Sequence, residues 1–294
     1  MIACGLAFGA TLASADDAGT AKFSADAGIG GYLRLGHWMP VRIKSTKGQR
    51  PVSRIEVVTR DGADAPVCYE FKQPQPIGSS ADDGRSYEVL VRIGRRVSQI
   101  GVKVFNDDEL LTEFQVPIRQ EKLIESIQPL TLVLDAGTEI QNALEATVAS
   151  FSGEISTVPI RLSTDQFPSD SLGLDAVRTI VIPAGDESAG SGLNESQQQA
   201  ISAWLHSGGR LVISANVGSA KGLLAKDTWL GQFVPGTIIG TRKMTNSSRL
   251  ESFVNSREQL IGFDGSPIDH LQTSTVDGVV LVADSKNQPL IMKQ

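Results

Sequence analysis

From Phe23 to Ile118, apolar and polar positions alternate in short runs broken by Gly, Asp, Asn and Pro. Alternation with period two puts every second side chain on one face, as in a half-buried strand. The runs are Tyr32–Leu35, Trp38–Ile43, Ile55–Thr59, Val67–Phe71, Tyr87–Ile93, Ile100–Phe105 and Leu110–Val116. Seven short strands at this spacing predict a β-sandwich over residues 23–119. Asn106-Asp107-Asp108-Glu109 supplies a hairpin turn between the last two runs, and the stretch from Gln73 to Gly84 an exposed loop.

The pattern changes across Gln120–Gln128, which is charged and lacks strand periodicity, so a second unit is expected over residues 128–294. Leu130–Leu134 and Thr179–Pro183 are continuous apolar runs of the kind buried on both faces of a parallel sheet. Between them, Glu139–Phe151 carries Ile140, Leu144, Ala146, Val148 and Phe151 at helical spacing, and Ser156–Leu162 follows. Asn194 with Gln197 three residues on predicts a capping box, and Ala200, Ile201, Trp204 and Leu205 form one apolar helix face. Gly208-Gly209 is a left-handed stop, after which Arg210–Ser214 re-enters the sheet. Strands alternating with helices predict parallel β-α-β units in a doubly wound sheet. Val279–Met292 reads as a hairpin running to the chain end, which leads us to expect an N-terminal part of a longer protein.

Met1–Ala15 is an apolar run ending in Ala13-Ser14-Ala15, a signal-peptide h-region with an Ala-x-Ala cleavage site, although no Lys or Arg precedes it. Removing it leaves Cys68 as the one cysteine, expected to be a small buried hydrophobe. The formal charge of −6, with Lys and Arg scattered in ones and twos and no basic stripe, argues against nucleic-acid binding. No stretch approaches the roughly 18 apolar residues of a membrane span.

The segment Gly30-Gly31-Tyr32-Leu33-Arg34-Leu35-Gly36-His37-Trp38-Met39-Pro40-Val41 resembles the opening of large exported bacterial (planctomycete-like) membrane-associated proteins, in which Gly-x-Trp-x-Pro-Val begins a β-sandwich. A class I glutamine-amidotransferase-like domain of flavodoxin-like α/β fold often follows there, and Leu193–Ser214 looks like its helix-Gly-Gly-strand signature. In active members a Cys occupies the turn after a central strand, with a downstream His followed two residues later by Glu. The corresponding turn here is Ser214-Ala215-Asn216-Val217-Gly218, without Cys, and His270 is followed by Leu271 and Gln272. The resemblance therefore implies a degenerate, non-catalytic domain, and a membrane tether beyond Gln294.

Three His, without His-x-x-x-His or Cys-x-x-Cys spacing, give no metal site, and no cofactor is expected. Ser214 lacks the Gly-x-Ser-x-Gly elbow of a serine hydrolase. Gly185–Gly192 stands where a phosphate loop would, but it lacks the Lys-Ser/Thr of a P-loop, and Asp186 and Glu187 repel phosphate. Trp38 and Trp204 are expected to anchor the cores of their own units. Asp135, Asp186, Glu187, Ser214 and Asn216 form the candidate ligand edge, at the C-terminal ends of the sheet strands. The expectation is an envelope-associated binding or scaffolding ectodomain, with other envelope proteins as partners. The alternative is a divergent hydrolase or amidotransferase-like enzyme using the strand-edge pocket.

Overall fold

The computed structural model describes residues 23–77, 84–134, 157–184, 192–215, 217–218, 222, 224–255, 267–274 and 277–293. Strands predominate, in a β-rich fold of more than one unit. The first half builds two four-stranded antiparallel sheets. One joins β1 (Phe23–Ala27), β3 (Trp38–Ser45), β7 (Ser86–Arg92) and the short β6 (Pro76–Ile77) in the order β1-β3-β7-β6. The other joins β4 (Arg54–Arg60), β5 (Pro66–Lys72), β8 (Gln99–Asn106) and β9 (Glu109–Pro117) in the order β5-β4-β8-β9. Met39, Val41, Ile43, Val89 and Val91 on the first sheet, and Ile55, Val57, Ile100, Val102 and Val104 on the second, are buried in one apolar cluster. Each such side chain contributes about 1.5–3 kcal/mol relative to exposure.

Two strands of this half were not legible in the sequence, β1 and β6. The run at Tyr32–Leu35 is only a two-residue strand, β2 (Leu33–Arg34). It pairs in parallel with β10 (Leu123–Ile124), which lies inside the charged segment expected to lack strands. Preceding β2, Tyr32 N–H donates to Ile29 O at 2.9 Å around Gly30 (φ +57°) and Gly31 (φ +81°). Positive φ at both central residues is the requirement of a type I′ turn, which glycine meets without strain. A Cβ on Gly30 would stand 2.7 Å from Ile160 Cγ2, so the turn lies close against the second half of the chain.

That second half holds a four-stranded parallel sheet of order β12-β11-β13-β14, from β11 (Leu130–Leu134), β12 (Val158–Leu162), β13 (Val177–Ala184) and β14 (Arg210–Ala215). Every residue of β11 is buried, as its unbroken apolar run requires. The expected helix at Glu139–Phe151 lies outside the described residues. Helix α1 (Glu195–His206) has the predicted capping box, with Gln197 N–H to Asn194 Oδ1 and Asn194 N–H to Gln197 Oε1 both at 3.0 Å. Gly208 at φ +98° ends it in the left-handed region. Trp204 anchors the helix by donating Nε1–H to Val177 O at 3.2 Å.

After β14 the described chain turns to antiparallel pairs. β15 (Ile238–Met244) pairs with β16 (Ile268–Thr273), and β17 (Val279–Ala283) with β18 (Pro289–Lys293) as the predicted hairpin; the short helix α2 (Ser248–Phe253) lies between β15 and β16. Among the described residues, no helix is long and apolar enough to cross a membrane.

Candidate functional site

Ser214 is the one residue of the expected ligand edge that the structure describes; Asp135, Asp186, Glu187 and Asn216 lie outside the described residues. Ser214 pairs in register with Pro183, and it is exposed on β14, the edge strand of the parallel sheet. No described His or carboxylate hydrogen-bonds its hydroxyl, so no described side chain activates it as a nucleophile.

The larger concave feature lies at the opposite edge of the parallel sheet, where the C-terminal end of β12 meets the first antiparallel sheet. A cleft of about 870 Å³ has β1 and β3 as one wall, with Asp26, Arg42 and Lys44. The opposite wall is Arg161 on β12 and the turn Thr164–Gln166 that follows it. Arg119 and Lys122, beyond β9, and Asn194 and Gln197, at the start of α1, close the rim. The size suits a small-molecule site, and C-terminal strand ends are the ligand edge of open α/β sheets.

Cross-strand register explains this wall. Asp26, Arg42 and Glu88 stand side by side across β1, β3 and β7 on the sheet's outer face, opposite the face that carries Val41 and Val89 inward. Arg42 Nε donates to Glu88 Oε2 at 2.9 Å, and its Nη1 and Nη2 donate to Asp165 O at 3.0 Å and Phe167 O at 2.7 Å. Glu88 Oε1 in turn accepts from Ser169 N–H at 3.0 Å. Gln197 Nε2 donates to Thr164 O at 2.7 Å and Phe167 O at 2.9 Å, fixing the start of α1 to the same turn. Lys122 Nζ donates to Gly30 O at 2.8 Å and lies 4.8 Å from the Tyr32 ring centre. The walls are therefore cross-braced.

Further contacts hold the two halves together. Arg34 donates to Ser126 O and Ala176 O, and burial lowers its pKa while Asp175 opposes the shift. Asp175 Oδ2 meets His37 Nδ1 and Trp38 N–H, each at 3.1 Å. Trp38 is thus not the core anchor expected. It is half-buried and packs edge-to-face on Tyr69, ring centres 5.6 Å apart, because its strand begins at the margin of the sheet.

Cys68 corrects a second expectation, since it is exposed rather than buried. It falls on β5, an edge strand whose residues alternate between exposed and half-buried, at an exposed position. Partial desolvation by its strand neighbours raises the thiol pKa, and Glu56 and Glu70 raise it further, against the weaker pull of Lys103 and Arg54. That is the reverse of an activated thiolate.

Sequence reasoning gave no role to Asp284. His270 Nε2 stands 3.6 Å from Asp284 Oδ2, with the two side chains 10% and 5% exposed. Burial pushes the Asp284 carboxyl up, but N–H groups of Gln288 and Lys286, with His270 and Arg242, outweigh it and hold the carboxyl below its ordinary value. The pair belongs to the C-terminal hairpins, and no described nucleophile hydrogen-bonds it. An Asp four residues before a turn-closing Gln, in Asp284-Ser285-Lys286-Asn287-Gln288, was the available signal. Among the described residues no group of three or more His, Cys, Asp or Glu could hold a metal ion.

No family model matches the chain, and no curated protein matches it.

Proposed function

We propose that the chain is a non-catalytic, envelope-associated binding or scaffolding ectodomain, exported through its N-terminal apolar segment. In this reading its second half is a degenerate flavodoxin-like domain of the class I glutamine-amidotransferase kind. The strand order second-first-third-fourth supports the fold, being the order of the flavodoxin-like doubly wound sheet. The observation that carries the lack of catalysis is the end of β14. Where a nucleophilic Cys would follow the strand, the chain has Ser214-Ala215-Asn216, and Cys68 sits instead on an exposed edge strand of the other sheet with a raised pKa. Acyl transfer at neutral pH needs a nucleophile paired with a base or carrying a depressed pKa, and neither Ser214 nor Cys68 has that support.

The test is active-site labelling of the purified protein with fluorophosphonate and thiol-directed electrophiles, together with a glutamine hydrolysis assay. The expected result is no labelling of Ser214 and no ammonia release. Labelling at Ser214 that disappears in Ser214→Ala would replace this reading with that of a hydrolase. Periplasmic recovery of a chain beginning at Asp16 is expected for the exported form, and retention of Met1 in the cytoplasm would remove the envelope assignment.

A further inference from the structure

We propose that the cleft between β3 and β12 is a binding site for a small, multiply charged oxyanion compound, one bearing at least two phosphate, sulfate or carboxylate groups. The inference rests on the reading of the chain as a binding module, and it names the ligand chemistry that this module would take.

The chain carries a formal charge of −6, yet the lining of this cleft has five cations, Arg42, Lys44, Arg119, Lys122 and Arg161, against two carboxylates, Asp26 and Asp165. A concave site lined mainly by one sign focuses the field and concentrates counter-ions even when the molecule as a whole has the opposite charge. The five cations are not equivalent. Arg42 is matched by Glu88, and Lys122 is held by Gly30 O and the Tyr32 ring, so these two are structural. Lys44, Arg119 and Arg161 have no ion pair among the described residues. They come from three separate elements, the end of β3, the turn after β9, and β12. Outside the cleft, Arg50, Arg54, Arg60, Arg95, Arg96 and Lys103 of the antiparallel half each reach a carboxylate. Three cations without a described partner carboxylate thus meet at one concave surface.

Arg119 and Arg161 offer planar forks suited to bidentate contact with phosphate, sulfate or carboxylate, and Lys44 a point charge on the same wall as Arg42. A volume of about 870 Å³ is far larger than one inorganic anion needs, and three cations on different walls call for more than one anionic group on the ligand. Asp26 and Asp165 would repel a uniformly anionic surface. They can accept hydrogen bonds from hydroxyl groups, so the ligand class is an oxyanion compound that also carries hydroxyls.

The experiment is calorimetric titration of the full chain with fructose 1,6-bisphosphate, glucose 3,6-disulfate and citrate, which each keep free hydroxyls and separate phosphate, sulfate and carboxylate sources, with uncharged myo-inositol as control. At least one polyanion is expected to bind with one-to-one stoichiometry, weakening with added salt, and myo-inositol is expected to give no heat. Arg119→Gln/Arg161→Gln is expected to weaken binding at least tenfold. Both side chains are exposed, so the double variant should retain the thermal midpoint of the parent. Arg96→Gln, which alters a cation outside the cleft, should bind like the parent. No binding of any of the three polyanions at millimolar concentration, or unchanged affinity in the double variant, overturns the inference. Its failure is distinct from that of the proposed function. Serine labelling with intact polyanion binding would sink only the non-catalytic reading, and absent binding without labelling would sink only this one.

Discussion

Arg42 and Glu88 are neighbours across β3 and β7, and the same two side chains also bind the backbone of the parallel-sheet half through Asp165 O, Phe167 O and Ser169 N–H. One ion pair thus joins two units. With side chains 13% and 5% exposed, it is screened far less than a surface pair. Glu88→Ala leaves a buried guanidinium without its counter-charge and is expected to cost about 3 kcal/mol. Urea denaturation should show the midpoint falling, and a loss below about 0.5 kcal/mol would mean that the pair contributes no more than an exposed one.

Gly30 provides a second test of the same contact. Gly30→Ala is strained by its positive φ, at roughly 1–2 kcal/mol, and must also displace Ile160. Gly48 has a similarly positive φ of +80° but open space around its Cβ position, so Gly48→Ala carries the conformational cost alone. The difference between the two variants in chemical denaturation isolates the steric share. Equal losses would show that the turn and β12 are not in contact.

The Asp284 carboxyl is held below its ordinary pKa, so its contribution to stability is fully present above the unfolded value of about 3.9 and fades as the pH falls through the folded value. Thermal midpoints measured from pH 7 downwards should therefore decline more steeply below about pH 4 for the parent than for Asp284→Asn. That variant should already be less stable at pH 7, because the charge that accepts from Lys286 and Gln288 is gone. Parallel pH profiles for the two proteins would remove the linkage.

Cys68 is accessible but carries a raised pKa. Alkylation by iodoacetamide at pH 7.5 should run slower than for an unstructured cysteine peptide and accelerate steadily at higher pH, since the thiolate is the reacting form. Glu70→Gln should speed it. A rate at pH 7.5 above that of the peptide would indicate an activated thiol.

Most antiparallel strands of the first half, the parallel core and the last hairpin were legible because burial on one face, or on both, writes itself as period two or as an unbroken apolar run. β13 and α1 are the clearest cases. The antiparallel pair β15–β16 was not foreseen. Strands β1 and β6 escaped because Phe23–Ala27 contains two polar residues among small ones, and Pro76–Ile77 is two residues long. Cys68 was misplaced because residue type was allowed to speak for burial, whereas the edge position of β5 decided it. The basic cleft could not be read at all. Lys44, Arg119 and Arg161 are scattered singly in sequence, and only the folding of β12 against the outer face of β3 brings them to one space.

The pairing of Leu123–Ile124 with Leu33–Arg34 also bears on how any occupant arrives. The connection between the halves is stitched to the first half immediately before it enters the second, and both halves share one apolar cluster. There is no slack strap from which one half could swing. The site is therefore a slot rather than a jaw, its shape set when the chain folds, and a ligand entering it need not pay to bring the walls together.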